Sequence, residues 1–397
     1  MPFNPAKAKL LYQLTFEGLW PTSVAFLGNG RKIAAANQLG QLLVWNLPEK
    51  PPEFKVDPKK DAKAPNIWPT RQLVGHTNEI TRLAITPDGK QLISASIDRT
   101  VRIWPTEAAA AGKAELILDA EGRKREARRT GKKDSTAPGI SVETQTACDV
   151  LQGHKDWIYA LGLSRDGKRI ISGDAASQVI VWDVAGKKEI ARWSCLPWNW
   201  IIAASLSPDG KTALVSESRY KRDDFDVPAP GLKLFDVESQ KEKLDLLKIQ
   251  FPKLDEKSRG YGPSQLWRKF VANGLLASAY SPDGKLVALA QGGETDTGKV
   301  HLLDTENGKL VRSVASHQYG LTDVMFTNDG KHIVSVGRDT CVRVTQVADG
   351  KEVAVLNAPR GGQFKDWLSA VALSPDETTL AATDIAGLVH VWDVGGN

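Results

Sequence analysis

Four tryptophans recur at one position of a repeated pattern, and their side chains are well suited to recognising another molecule. Aligned on the Asp-Gly and Asn-Gly turns of the chain, these indoles share one register, and acidic or amide residues stand beside them. Indoles attract cations over their faces and stack on proline, so such a surface would bind a cationic or proline-rich peptide. The four tryptophans of this register are Trp20, Trp157, Trp200 and Trp367, and Glu79 holds the same position in the second copy. The neighbouring Trp198, Asp156 and Asp366 complete the set of candidate side chains.

Residues that could catalyse a reaction or hold a metal are scattered. Acids and an amide near the tryptophan register lie in different repeats, so a cation site would need two or three of them to converge. The sequence has no Gly-rich phosphate loop, His-Glu-x-x-His helix or nucleophile elbow. We therefore predict no catalytic residue, no metal and no cofactor, and keep a hydrolase or lactonase with a bound cation as the alternative. The residues concerned are Glu17, Glu79, Asp156, Asn199 and Asp366.

The net charge of +5 comes from one short segment. Residues 121–133 contain seven Lys or Arg against two Glu, and the remainder of the chain is close to neutral. This segment has no aromatic residue to stack on bases, which favours a solvated helix or a disordered loop. Contact with nucleic acid through 121–133 is the second alternative.

Cysteine usage and hydropathy bear on whether the protein is disulfide-bonded, zinc-binding, secreted or membrane-spanning. Cys148, Cys195 and Cys341 are odd in number and have no paired spacing, so neither a disulfide framework nor a zinc cluster is supported. The first residues lack the apolar stretch of a signal peptide, and no run is long enough to cross a bilayer. We expect a soluble, cytoplasmic monomer with no membrane partner.

The elements that must position these side chains are β-hairpins repeated along the chain. An Asx-Gly pair tolerates the positive φ that a tight turn between two strands requires. Gly167 and Gly210 are 43 residues apart and Gly284 and Gly330 are 46 apart, which is the period of a four-stranded propeller blade. The seven turns are Asn29-Gly30, Asp88-Gly89, Asp166-Gly167, Asp209-Gly210, Asp283-Gly284, Asp329-Gly330 and the degenerate Asp376-Glu377.

The clearest copy, residues 153–184, reads GHKDWIYALGLSRDGKRIISGDAASQVIVWDV. Its Gly-His, its central Asp-Gly turn and its terminal Trp-Asp resemble the WD-repeat family, and the resemblance covers nearly the whole chain. It implies an all-β fold, a seven-bladed β-propeller of four-stranded antiparallel blades in one domain. The loose match to the family signature is more typical of bacterial members than of eukaryotic ones.

Blade boundaries follow from the turns. The chain stops three residues after Trp392-Asp393-Val394, a third strand, so we expect the last blade to be closed by an N-terminal strand at 10–16. The predicted blades are 20–73, 74–151, 152–193, 194–248, 270–314, 315–356 and 364–394. The predicted insertions are 48–67, 105–141, 218–230 and 249–270.

The resemblance also implies a hydrogen-bonded structural cluster of His, Ser or Thr, Asp and Trp within a blade. We therefore interpret three of the histidines as buried structural donors and predict a ring held mainly by apolar packing. The second copy has the whole set, as His76, Ser94, Asp98 and Trp104. The third copy keeps His154, Ser172 and Trp182 but has Ala176 for the acid, and the sixth keeps His317, Ser335 and Asp339 but has Thr345 for the Trp. The first and seventh copies keep only Trp45 and Trp392.

In the resembled family the tryptophan register lies at the mouth of the central channel, on the face called the top, and often contacts partners. Two interpretations remain: the indoles plug the channel neck, or they are partly exposed, which four large aromatics in one register favour. Insertions 218–230 and 249–270 enlarge loops on this face, whereas 48–67 and 105–141 lie on the opposite face. We predict a non-catalytic scaffold that binds a protein or peptide on its top face, with a channel-mouth enzyme as the alternative.

Overall fold

The predicted turns close the hairpins between the first and second strands of successive blades. Gly89 has a φ of 68°, and Thr86 Oγ1 donates a 2.6 Å hydrogen bond to Asp88 Oδ1, which also accepts the Lys90 amide at 3.0 Å. Glu377 takes a φ of 56° where the other turns have glycine, a strained value for a residue with a side chain. Equivalent hydroxyl donors stand at Ser164, Ser207, Ser281, Thr327 and Ser374.

The computed structural model describes residues 3–16, 20–50, 66–116, 140–197, 199–219, 231–250, 275–292, 298–357 and 367–395. The first half of this part holds a 3-10 helix (Pro5–Lys7) and strands β1 (Lys9–Thr15), β2 (Pro21–Leu27), β3 (Lys32–Asn37), β4 (Leu42–Asn46), β5 (Asn66–Ile67), β6 (Arg71–Leu73), β7 (Ile80–Ile85), β8 (Gln91–Ser96), β9 (Thr100–Pro105), β10 (Gly112–Leu116), β11 (Ile140–Gln145), β12 (Asp149–Gln152), β13 (Ile158–Leu163), β14 (Arg169–Asp174), β15 (Gln178–Asp183) and β16 (Lys188–Ser194).

The second half holds β17 (Asn199–Leu206), β18 (Thr212–Arg219), β19 (Leu232–Asp236), β20 (Glu242–Asp245), helix α1 (Leu246–Gln250), β21 (Leu275–Tyr280), β22 (Leu286–Gln291), β23 (Gly298–Asp304), β24 (Leu310–His317), β25 (Leu321–Phe326), β26 (His332–Gly337), β27 (Cys341–Gln346), β28 (Glu352–Asn357), β29 (Leu368–Leu373), β30 (Thr379–Asp384) and β31 (Leu388–Asp393). These strands form seven sheets, each with a core of four antiparallel strands. The fold is therefore the predicted all-β, seven-bladed β-propeller.

The ring is completed by the N-terminal strand. β1 pairs antiparallel with β31, Lys9 lying opposite Asp393 and Thr15 opposite Leu388, so it is the fourth strand of the last blade. Phe16 follows β1 and packs edge-on against Trp45 of blade one at a centroid distance of 5.1 Å. This strand therefore closes blade seven, and the residue after it joins that blade to the first.

Parts of two insertions form extra strands, a point on which the sequence analysis was wrong, since it treated 48–67 and 105–141 as loops. β5 pairs parallel with β1 outside blade seven, and the β10–β11 hairpin adds to blade one, β11 running parallel to β6. Outer strands have unpaired backbone groups, which these segments satisfy. Residues 51–65, 117–139, 220–230 and 251–274 lie outside the described part of the chain, and with them the basic segment 121–133.

Apolar side chains fill the space between neighbouring blades. Ile171 and Val181 of blade three pack in one buried cluster with Ile201 and Val215 of blade four. Similar clusters join the other blades. Successive side chains of a strand point to opposite faces of the sheet, so both faces of a blade are buried and runs such as Ile33–Asn37 are buried continuously.

Candidate functional site on the top face

The tryptophan register lies just before the innermost strand in blades one, two, three, six and seven, where backbone bonds hold it, and Trp200 of blade four lies at the start of that strand. The carbonyl of Trp157 accepts the amide of Ala175 at 2.9 Å, and that of Trp367 accepts the amide of Ile385 at 3.0 Å. Gln38, Ile97 and Arg338 make the same bond to Trp20, Glu79 and Gly320. Because each donor follows the second strand, the register and these turns share one end of the blades, the top face.

Every innermost strand carries a β-bulge two residues after this register. The bulge falls between Ile80 and Arg82 in blade two and between Ile158 and Ala160 in blade three, and it recurs in the other five. A bulge re-aims the side chain of the extra residue. The seven bulge residues are Thr22, Thr81, Tyr159, Ile202, Leu276, Thr322 and Ser369.

Where the bulge residue is Ser or Thr, its hydroxyl donates a hydrogen bond to a backbone carbonyl of the next blade. Thr81 Oγ1 donates to the Ile158 carbonyl at 2.8 Å, and Thr322 Oγ1 donates to the Leu368 carbonyl at 2.6 Å. Two further bonds of this kind link Ser369 to the Pro21 carbonyl at 2.7 Å and Thr22 to the Ile80 carbonyl. Blades six, seven, one, two and three are thus joined in series.

Blade three departs from this pattern because its bulge residue is Tyr159. The phenol ring stacks on Trp200 of blade four, with centroids 5.3 Å apart and planes 22° apart. Trp157 stands edge-on to the same ring at 6.5 Å. Trp157, Tyr159 and Trp200 form one aromatic cluster across two blades, and Tyr159 was not among the predicted site residues.

Two carboxylates give the aromatic cluster a negative field. Burial, and then the charges of Glu79 and Asp156, raise the pKa of Tyr159 to about 12. Burial also raises the pKa of Glu79 above its usual range. Asp156 accepts the Trp157 amide at 2.8 Å. Neither carboxylate forms a salt bridge with another described residue.

The indoles of the register do not plug the channel. Trp20, Trp157 and Trp367 are 54%, 46% and 40% exposed, and Trp200 is partly buried beneath Tyr159. Trp198 and Asp366 lie outside the described residues, so their predicted places on this face stay predictions.

An ion pair spans the axis below the register. Arg82 Nη2 donates to the Leu276 carbonyl of blade five at 2.8 Å, and Arg82 Nη1 lies 3.9 Å from Asp323 Oδ1 of blade six. The other Asp323 oxygen accepts the Val371 amide at 3.1 Å, and burial raises the pKa of this carboxyl. The axis of the ring is thus crossed by charged side chains.

A cation of the chain covers Trp367. The Arg338 guanidinium lies 4.3 Å from the indole centroid, a cation–π distance. Arg338 belongs to the top-face turn of blade six, next to Trp367 of blade seven. The same register thus carries an acidic aromatic surface on blades two to four and an arginine-covered indole between blades six and seven.

The predicted structural set of blade two is hydrogen-bonded as a unit. His76 Nδ1 donates to Asp98 Oδ2 at 2.7 Å, and Ser94 Oγ donates to His76 Nε2 at 2.7 Å while accepting Trp104 Nε1 at 2.9 Å. Burial lowers the pKa of His76. Burial opposes ionisation of Asp98, yet the bonds from His76 and Thr100 outweigh it and hold the pKa of Asp98 well below its usual range.

Blade three also has an acid, which corrects the expectation based on Ala176. Asp174, the last residue of β14, accepts His154 Nδ1 at 2.8 Å, and Ser172 bridges His154 and Trp182 at 2.6 and 2.8 Å. Asp174 Oδ1 also accepts the amide of Ala176 at 3.0 Å. An acid two residues earlier than expected therefore reaches the histidine and supports the same turn.

Blades six and seven vary the cluster in different ways. His317 contacts Asp339 and Ser335 at 2.9 Å each, with Thr345 at the tryptophan position. In blade seven, where only Trp392 was expected, His390 Nε2 donates to Asp384 Oδ2 at 2.7 Å, and Gln13 of the closing strand lies 3.2 Å from His390 Nδ1. Buried polar networks therefore add to the apolar packing that the sequence analysis expected to dominate.

Two absences among the described residues bear on other functions. No three His, Cys, Asp or Glu side chains in this part of the chain group as metal ligands would. Among the same residues, no helix has the length and apolar character required to traverse a membrane.

Comparison with known proteins agrees with the geometry. A family model described as "WD domain, G-beta repeat" matches residues 67–105, 145–183 and 308–345. Autophagy-related protein 16 of Arabidopsis thaliana is 24% identical over 265 residues, 67% of this chain and 45% of that protein. The WD repeat-containing protein 55 homologs of Drosophila persimilis and Drosophila melanogaster are each 32% identical over 117 residues, 29% of this chain and 22% of theirs. The chain spans less than half the length of these relatives.

The matched repeats, the relatives and the seven four-stranded sheets converge on one family. Its members are typically non-catalytic scaffolds that mediate protein interactions. On these grounds the chain is a WD-repeat β-propeller.

Proposed function

We propose that this protein is a non-catalytic scaffold that binds a protein or peptide segment on its top face, with the aromatic cluster at the centre of the contact. The observation that carries the proposal is Tyr159 at a bulge position where four other blades place a joint-forming Ser or Thr. Its ring extends the surface between Trp157 and Trp200.

Physical considerations support binding at this place. Tryptophan and tyrosine are enriched among the residues that dominate interface energies. They offer large areas with few rotatable bonds, and here the closed ring holds them in position. Little conformational entropy is then lost when a partner docks.

The alternatives have less support. Of the acids considered for a cation site, Glu79 and Asp156 adjoin Tyr159, whereas Glu17 and Asp366 lie outside the described residues. The axis itself is crossed by Arg82 paired with Asp323. A nucleic-acid contact would depend on 121–133, about which the described residues give no support.

The test compares capture of binding proteins from the source organism's lysate, by cross-linking and mass spectrometry. The wild type, a Trp157→Ala/Trp200→Ala variant and a Trp20→Ala control are used after melting curves show that all are folded. Trp20 is a matched control because it shares the register and is 54% exposed, yet lies outside the aromatic cluster. We expect a partner retained by wild type and control and lost by the double variant. Retention by the double variant would refute the proposal.

A further inference from the structure

We propose that the central channel holds a second binding site, which takes the carboxylate group of a small molecule and uses Arg82 as its main binding side chain. The site lies at the channel waist, which we define as the seven residues that directly follow the β-bulges of the innermost strands. It is independent of partner binding on the top face.

Small side chains leave space at the channel waist. Blades two and six place a charged residue there, Arg82 and Asp323, and the other five blades place Ala or Ser. The small residues are Ser23, Ala160, Ala203, Ala277 and Ala370. The cavity at this level has a volume of about 110 Å³ and is lined by residues of all seven blades. One water needs about 10–15 Å³ by the same measure, so a molecule of several non-hydrogen atoms fits.

The Arg82 guanidinium has more hydrogen-bond donors than its described neighbours accept. Its Nη2 donates to the Leu276 carbonyl at 2.8 Å, and this is its one side-chain hydrogen bond to a described residue. The 3.9 Å from Nη1 to Asp323 Oδ1 is an ion-pair distance but too long for a hydrogen bond. A guanidinium binds a carboxylate through parallel N–H···O bonds, so the unused donors favour a planar oxyanion.

Asp323 compensates the charge of Arg82 only in part. Both of its carboxyl oxygens accept backbone amides, from Val324 at 3.0 Å and from Val371 at 3.1 Å. Burial outweighs the charge of Arg82 and raises the pKa of this carboxyl, which favours its neutral form beside an incoming anion.

Hydroxyl groups add further donors to the cavity. Ser23 Oγ accepts the Leu83 amide at 3.0 Å, and its O–H group has no acceptor among the described residues. Ser278 Oγ lies 2.9 Å from Ser205 Oγ, so one of the two hydroxyl protons is not used within this pair. Donors therefore exceed acceptors at the channel waist, as a site for a carboxylate requires.

The channel waist connects with the bottom face. A second cavity of about 260 Å³ shares Leu161, Ala204 and Ser278 with the first and extends to Arg165 and Pro208 at the bottom-face turns. A small molecule can thus reach Arg82 from the face opposite the indoles.

The test uses acetate and its uncharged isostere acetamide as probes on the full chain, in a buffer free of other carboxylates. Binding is followed by the arginine Nε–H signals in NMR spectra, with the signal of Arg82 assigned by Arg82→Lys. We expect acetate to shift this signal to saturation and to bind at least about tenfold more tightly than acetamide, because charge-assisted hydrogen bonds are the stronger ones. Equal binding of the two probes, or no saturable shift by acetate, would overturn the inference.

Two variants locate the acetate. Ala203→Val should abolish the shift, because the added methyl groups enter the cavity while Arg82 and Asp323 remain. Trp157→Ala/Trp200→Ala is the control, and it should bind acetate as the wild type does even where it loses the protein partner. Acetate binding that survives Ala203→Val would place the ligand elsewhere and refute the site.

Arg82→Lys gives a second comparison should Ala203→Val not fold. Lysine keeps the positive charge but lacks the planar fork of donors, so acetate should bind at least about tenfold more weakly. Binding is then followed by the broadening of the acetate methyl signal. Undiminished broadening with Arg82→Lys would show that the guanidinium does not hold the carboxylate.

Discussion

The joint between blades two and three and the joint between blades three and four use the same bulge position for different purposes. At the first, Thr81 buries its hydroxyl against the Ile158 carbonyl at 2.8 Å. At the second, Tyr159 stacks on Trp200 and remains partly exposed. The backbone is alike in both, so the difference lies in one side chain.

This difference indicates that blade three lacks the stabilising hydrogen bond to the next blade and has a partly exposed aromatic ring in its place. A buried hydrogen bond contributes about 0.5–1.5 kcal/mol to stability. Exposed aromatics contribute little to the stability of the free protein but are enriched among the residues that dominate interface energies. Blades four and five also lack the hydroxyl, with Ile202 and Leu276 at the bulge, but among the seven bulge residues only Tyr159 is aromatic, which supports the proposed binding site at this joint.

The largest expected effect comes from making the two joints alike. Tyr159→Thr should weaken partner binding about 30-fold, the effect of losing an interface residue worth about 2 kcal/mol. The same variant should gain up to about 1 kcal/mol of stability, because the new hydroxyl can reach the Ile201 carbonyl as Thr81 reaches Ile158. Binding is measured by calorimetry with the captured partner, and stability by denaturant unfolding. Unchanged affinity of the Tyr159→Thr variant for the partner would mean that the two joints do not differ in function.

A smaller effect is expected at the joint that serves as reference. Thr81→Val should destabilise the protein by about 1–2 kcal/mol, because the hydroxyl donor is lost while the buried Ile158 carbonyl remains. Thr81→Ser, which keeps the donor, is the matched control in the same unfolding assay. Partner affinity should stay unchanged in both variants. If Thr81→Val left the free energy of unfolding unchanged, the hydroxyl joints would not stabilise the protein. Tyr159 would then take the place of no stabilising contact.

The fold could be predicted because its determinants are local. Asx-Gly pairs that follow a hydroxyl residue form tight turns through local contacts, as at Asp88-Gly89. The spacing between successive turns then predicts the length of a blade. The tryptophan register followed from the same alignment. The β10–β11 hairpin was not predictable, because its pairing with blade one joins residues far apart in sequence.

The site was predicted only in part. The register gave Trp157 and Trp200, but Tyr159 lies two residues further along a strand, where an aromatic is ordinarily buried. The aligned copies did contain a signal for Tyr159, because the same position holds Ser or Thr in four other blades, as Thr22, Thr81, Thr322 and Ser369. Asp174 was missed because either of two positions in its turn can reach the histidine, a choice that spacing from the tryptophan does not determine.

The smallest expected effect concerns the pH dependence of stability. Burial raises the pKa of Glu79, so as pH rises the unfolded chain releases this proton before the folded protein does. Stability therefore falls through that interval, and the loss persists at neutral pH. Glu79→Gln should raise Tm slightly at neutral pH, by less than Tyr159→Thr, and leave it unchanged below the usual pKa range of glutamate. Melting curves across this range, with Glu242→Gln as control, provide the measurement.

Glu242 is a suitable control because it forms a salt bridge, whereas Glu79 forms none with another described residue. Its carboxylate accepts Lys233 Nζ at 2.7 Å, so its replacement should lower Tm or leave it unchanged at neutral pH. A lower Tm for Glu79→Gln at neutral pH would mean that this carboxylate stabilises the free protein. Burial of Glu79 would then carry no net free-energy cost in the free protein, and the contrast between the two joints would rest on Tyr159 alone.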